Sequence, residues 1–129
     1  MRAQIELSAR RHHPAESCGL LLGRSIGARV EVELERPARN LLAGVACDRY
    51  ELDPTDQLAA EDEARARGLE VVGVWHSHPD LPAMPSELDR ARAWEGWSYV
   101  IVSITAAGAR ELRSWRLVSG NFVEEELEA

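Results

Sequence analysis

Trp75-His76-Ser77-His78-Pro79-Asp80-Leu81-Pro82-Ala83-Met84-Pro85-Ser86-Glu87-Leu88-Asp89 is the most informative stretch of this chain. It continues an apolar run from Leu69 to His76 that reads as a core strand. Residues two apart on a strand project from one face, so His76 and His78 present two imidazoles to a common point while Ser77 turns away. Pro79, Pro82 and Pro85 make the following segment a loop. Ser86 then opens a helix through Trp94, with Asp89 in its first turn, and the loop can fold that helix back over the strand end. Two imidazoles and one carboxylate give zinc three protein ligands and leave a fourth tetrahedral position open, as in catalytic rather than closed structural sites. The donor set suits zinc, although iron or cobalt can occupy such a set in the test tube.

Each piece also has an ordinary reading. Two histidines in alternation occur by chance, and Ser86 with Asp89 three residues on is what a capped helix start looks like. Asp89 can do both jobs, and the joint pattern favours the metal.

Outward from this stretch, the chain alternates helical and strand signals. Residues 3–13 predict a short helix with Ile5 and Ala9 on one face, interrupted by Pro14. Ser17 to Gly23 predicts a buried strand, Gly27 a turn, and Arg29 to Leu34 an alternating, half-exposed strand. Pro37 to Asp48 reads as a loop and Tyr50 to Leu52 as a short strand. Asp53-Pro54-Thr55 starts a helix through about Arg67, closed by Gly68. Ser98 to Ile104 is apolar, Glu111 to Val118 alternates, and Ser119 to Asn121 turns the chain so that Phe122 to Glu126 pairs back as a hairpin. The fold class predicted is α/β, a mixed central β-sheet flanked by helices, in a single domain over residues 1–129.

The 129 residues suffice to bury a core without disulfides. Cys18 and Cys47 are too few for a disulfide framework and lack the spacing of a structural zinc site; Cys18, beside the run Gly19 to Gly23, reads as a buried reduced thiol. A net charge of −7, with Arg and Glu scattered, argues against a nucleic-acid binder. The apolar runs are too short to span a bilayer and no signal segment opens the chain, so the expected setting is the cytoplasm with no membrane partner.

Water activated at a metal needs a proton acceptor. Glu16 precedes the strand of Ser17 to Gly23, which can bring it to the sheet end beside the metal; taken alone it reads as a solvated loop acid. Ser86, if its hydroxyl faces the metal, can donate to the oxyanion formed as water attacks a carbonyl.

His76-Ser77-His78-Pro79, then Ser86 and Asp89, with Glu16 upstream in His13-Pro14-Ala15-Glu16-Ser17-Cys18-Gly19, resembles the signature of the JAMM (JAB, or MPN-plus) zinc metallopeptidases. The resemblance implies the cytidine-deaminase-like JAMM/MPN fold, Zn2+ on His76, His78 and Asp89, Glu16 as general base, and Ser86 supporting the oxyanion and water. No ligand position is degenerate, unlike the metal-free scaffold members. The segments at residues 8–23, 50–58 and 111–120 are similar to the bacterial branch acting on small ubiquitin-like sulfur-carrier proteins. That likeness implies hydrolysis of the amide after the carrier's C-terminal glycine, releasing cysteine or a short tail. The segment between the histidines and Trp115 lacks room for the insertions with which eukaryotic deubiquitinating members grip ubiquitin chains. Other readings are a deubiquitinase-like isopeptidase and a non-catalytic, zinc-bearing interaction module, which would not require Glu16. A zinc nucleobase deaminase would need HxE and PCxxC, and neither is present.

Overall fold

The structure is a computed structural model that describes residues 1–46 and 49–128. Its elements in chain order are α1 (Arg2–His12), β1 (Cys18–Ile26), β2 (Arg29–Ala38), α2 (Pro54–Ala66), β3 (Glu70–Pro79), α3 (Glu87–Arg92), β4 (Ser98–Thr105), β5 (Gly108–Val118) and β6 (Asn121–Glu125). The strands form a six-stranded sheet in the order β2-β1-β3-β4-β5-β6. β3 and β4 run parallel, joined through α3, and the other neighbours are antiparallel. The expected mixed sheet flanked by helices is therefore present.

The two faces of the sheet bury different clusters. Ile5 and Ala9 of α1 pack on Leu21, Trp75, Val100, Val102 and Ile104. Ala60 and Ala64 of α2 pack on Leu20, Leu22, Val74 and Tyr99. Successive strand residues alternate between these clusters, as the two-residue period requires. The middle of the sheet, buried on both faces, accordingly reads as apolar runs: Cys18 to Gly23 of β1 and Tyr99 to Ile104 of β4 are buried throughout. Close approach demands glycine at residue 19, where an added Cβ would collide with the Trp75 indole nitrogen.

Several boundaries differ from expectation. β2 continues to Ala38, through Pro37, which pairs with Gly19. Proline is tolerated there because β2 is an edge strand. Of the strand expected at Tyr50 to Leu52, a lone bridge between Leu52 and Asn40 forms. β1 starts one residue later than expected and runs to Ile26, while β5 begins at Gly108 after a two-residue turn. β3 extends to Pro79, so both histidines are strand residues. α3 stops at Arg92 rather than Trp94. Cys47 and Asp48, within the expected loop, lie outside the described residues. Among the described residues no helix is long and apolar enough to cross a membrane.

Candidate metal centre

Register places the site residues before any side chain is considered. Cys18 pairs with His76 in the antiparallel β1–β3 ladder. Glu16 lies two residues before Cys18, just outside the ladder and beside both histidines. Glu16, Cys18, His76 and His78 thus share the α2 face, at the end of β3 that leads into the proline-rich loop. Glu16 is buried, as are both histidines, and one ligand atom from each of the three lies within 4.8 Å of the others. On the opposite face Ser77 meets Ser17.

Asp89 arrives from α3. Ser86 is the helix N-cap: its Oγ accepts from the Asp89 N–H at 3.0 Å, and its own N–H donates to Asp89 Oδ2 at 2.8 Å. This reciprocal capping box fixes the first turn and turns the carboxylate toward the sheet. Asp89 Oδ2 lies 3.1 Å from His78 Nε2 and Oδ1 lies 3.3 Å from His76 Nε2, while the two Nε2 atoms are 3.1 Å apart. A tetrahedral zinc with ligand bonds of ~2.0–2.1 Å sets neighbouring ligand atoms about 3.3 Å apart. The two nitrogens and the carboxylate group form a triangle near that size, each nitrogen facing a different carboxylate oxygen.

Tautomers sharpen the point. His78 Nδ1 is 2.9 Å from the carbonyl of Pro82, an acceptor, so Nδ1 carries the proton and donates. In the neutral ring Nε2 is then a lone pair, and it faces the carboxylate and the other imidazole nitrogen. Burial pushes the His76 pKa down against the pull of Asp89, favouring the neutral ring. Burial also disfavours charge on His78, but hydrogen bonds to Asp89 and to the Pro82 carbonyl outweigh it and the pKa moves up. Asp89, despite burial, is held far below the usual carboxylate range by the two imidazoles and the Ser86 N–H. With Nε2 deprotonated on both rings, the carboxylate and the two imidazoles form a donor set matched to a cation; without one, the raised His78 pKa favours an Nε2–H donated to Asp89. His76 Nδ1 is buried without a hydrogen-bond partner among the described residues. The Tyr50 ring stacks on this imidazole, with centroids 4.5 Å apart and planes at 23°. Cys18, on the same face, is driven to a pKa of about 12 by burial and by the charge of Glu16, so it remains a neutral thiol.

The loop that carries Asp89 to the site is held by residues whose part sequence reading missed. Asp80 N–H donates to the Ile104 carbonyl at 2.7 Å, and Ser103 Oγ to the Leu81 carbonyl at 2.5 Å. Glu111 accepts from Ala83 N–H at 2.9 Å, and the Trp115 indole N–H donates to the Ala83 carbonyl at 3.0 Å. Trp115 is buried at this anchor. Its indole N–H, which needs a partner when buried, was the available signal. Ser86 is exposed and its oxygen serves the cap, which leaves its O–H free to donate elsewhere.

The chain matches the family model described as prokaryotic homologs of the JAB domain over residues 1–118. It is 36% identical over 118 residues to the CysO-cysteine peptidase of Mycobacterium tuberculosis, covering 91% of this chain and 78% of that protein. It is 41% identical over 91 residues to the desampylase of Haloferax volcanii, covering 70% of this chain; the match spans 63% of the desampylase's length. Among solved structures, a protein of Desulfitobacterium hafniense superposes with a TM-score of 0.82 at 34% identity, covering 97% of this chain and 85% of that one.

Proposed function

The chain belongs to the family of prokaryotic homologs of the JAB domain, and from that premise we propose a zinc-dependent peptidase acting on a small ubiquitin-like sulfur-carrier protein. The scissile amide is the one after the carrier's C-terminal glycine, and the product is cysteine or a short tail. The observation that carries this reading is the triangle of His76 Nε2, His78 Nε2 and the Asp89 carboxylate, 3.1–3.3 Å on each side, with Glu16 buried beside it. Similarity to proteins named CysO-cysteine peptidase and desampylase supports a peptidase of ubiquitin-like small proteins. The finer choice of a sulfur carrier ending in Gly-Gly rests on the likeness of residues 8–23, 50–58 and 111–120. The family match over residues 1–118 and the one sheet from β1 to β6 support a single domain over 1–129; its setting in this reading is the cytoplasm, beside its carrier.

In this reading His76, His78 and Asp89 hold the zinc, which supplies Lewis acidity toward a carbonyl and a lowered pKa for water. Pro82 keeps His78 in the tautomer with Nε2 unprotonated, and the capping box keeps the Asp89 carboxylate turned inward. Glu16 accepts the proton lost by water as its oxygen bonds to the glycine carbonyl carbon. As the C–N bond breaks, Glu16 returns that proton to the departing amine. The Ser86 O–H donates to the oxyanion in between. Substrate shape follows from compactness: between α3 and β5 the chain forms a short loop, β4 and a two-residue turn, without an inserted gripping segment. A thin extended tail suits such a site, and glycine suits it because a side chain at the scissile bond would keep the backbone away.

The test is mass spectrometry of the host's own carrier, extended by cysteine after Gly-Gly, incubated with enzyme and with the Glu16→Gln variant as control. Release of cysteine by wild type alone is expected, with ubiquitin chains cut poorly or not at all. Efficient cleavage of ubiquitin chains without action on the carrier adduct would overturn the substrate while leaving the chemistry.

A further inference from the structure

β1 leaves its ladder at the residue next to Glu16. Ser77 N–H donates to the Ser17 carbonyl at 2.9 Å, as an antiparallel pair should. The reciprocal bond is replaced: Ser17 N–H donates not to the Ser77 carbonyl but to the Ser77 side-chain Oγ, at 2.8 Å. The same Oγ also accepts from Ser17 Oγ at 3.1 Å. Both serines are buried, Ser77 at 0% exposure and Ser17 at 3%, so water cannot stand in for either partner. Regular strand pairing in β1 accordingly begins only at Cys18. The peptide joining Glu16 to Ser17 is therefore held by a side chain that lies between the two histidines in sequence yet points away from them. One residue earlier, Asn40 Nδ2 holds the Glu16 carbonyl at 2.8 Å.

We propose that Ser77 is a positioning residue: its hydroxyl oxygen, by capturing the Ser17 N–H in place of a ladder carbonyl, sets where the Glu16 carboxylate stands relative to His76 and His78. The inference rests on the reading of Glu16 as proton acceptor. The chemistry is geometric. Glu16 must reach the proton it takes, and a displacement of about 1 Å from the working position costs on the order of a hundredfold in rate. A strand end with a conventional ladder bond would follow the pleat; one held at a side-chain oxygen sits elsewhere. Ser17 Oγ is a secondary contact, because its removal leaves the Ser17 N–H still bonded.

The test compares Ser77→Ala, Ser77→Cys and Ser17→Ala in the zinc-loaded enzyme on the cysteine-extended carrier. Each removes or weakens one buried hydroxyl of the same pair, and Ser77→Cys keeps the side chain's shape in a slightly larger group that is a poor acceptor. The expected result is kcat lower by roughly tenfold to a hundredfold in both Ser77 variants with KM unchanged, zinc content equal to wild type, and Ser17→Ala within about twofold of wild type. Adding Ser77→Ala to Glu16→Gln should lower the rate no further, because the residue acts only through Glu16. Independently of turnover, amide exchange at Ser17, read by NMR in the zinc-loaded protein, should quicken at least about tenfold in Ser77→Ala and not in Ser17→Ala. Equal losses in the Ser17 and Ser77 variants, a further rate loss in the double variant, or unchanged Ser17 exchange would each overturn the assignment. Activity of Glu16→Gln at the wild-type level would instead sink the role of Glu16, a failure distinguishable because it appears without any change at Ser77.

Discussion

Strand β3 offers a comparison within a single element. On its α1 face, Trp75 donates its indole N–H to Glu35 Oε1 at 2.8 Å and Ser77 accepts from Ser17, so donors there meet acceptors. On its α2 face, two residues of the same strand crowd their rings together instead. His76 and His78 turn Nε2 atoms toward each other and toward a carboxylate, and His76 Nδ1 has no partner among the described residues. One face pairs its buried groups within the protein, whereas the other gathers two imidazoles and a carboxylate and leaves one ring nitrogen without a partner among the described residues. The burial is equal, since Trp75, His76 and Ser77 are all at or below 1% exposure. What separates packing from chemistry is thus the balance of donors and acceptors rather than depth.

The largest break in this comparison should come from His78→Ala. Loss of one corner of the triangle is expected to remove most of the bound zinc and all hydrolysis, checked by metal analysis and turnover on one preparation. Glu16→Gln should come next. It keeps size and polarity but cannot take a proton, so zinc content should hold while kcat falls roughly a hundredfold to ten-thousandfold. Near-normal turnover in this variant would remove Glu16 from the mechanism.

On the packing face the effect should be on stability. Trp75→Ala removes a fully buried indole and leaves the Glu35 carboxylate without its donor, at a cost of about 3–5 kcal/mol, measurable by urea unfolding of the metal-free protein. The smallest expected change is Ser86→Ala. Loss of the N-cap should cost about 1 kcal/mol and lower the rate through a lost oxyanion donor while zinc content changes little. A Ser86→Ala enzyme with wild-type kcat would leave the residue as a cap alone.

The part of the site written in local sequence was legible. Alternation in His76-Ser77-His78 fixes one face by the pleat, and Ser86 with Asp89 announces both the cap and the inward carboxylate. Glu16 was harder, because its nearness to His78 depends on the β1–β3 register, a pairing across 60 residues of sequence. The anchors of the proline-rich loop, Ser103, Glu111 and Trp115, were not seen for the same reason: hydrogen bonds between distant segments leave no periodicity. Boundaries misread at Pro37 and at Tyr50 show local rules yielding to tertiary setting. Pro37 survives in a strand because that strand is an edge. Tyr50 takes no strand pairing and instead lays its ring on His76.

The central claim, that His76, His78 and Asp89 form a metal centre served by Glu16, meets its most direct test in native mass spectrometry of the purified chain. Wild type and Glu16→Gln should each carry about one zinc per chain, removed by a chelator and restored on adding the metal. His76→Ala, His78→Ala and Asp89→Ala should each be found largely without it. Zinc at the wild-type level in all three ligand variants would contradict the account.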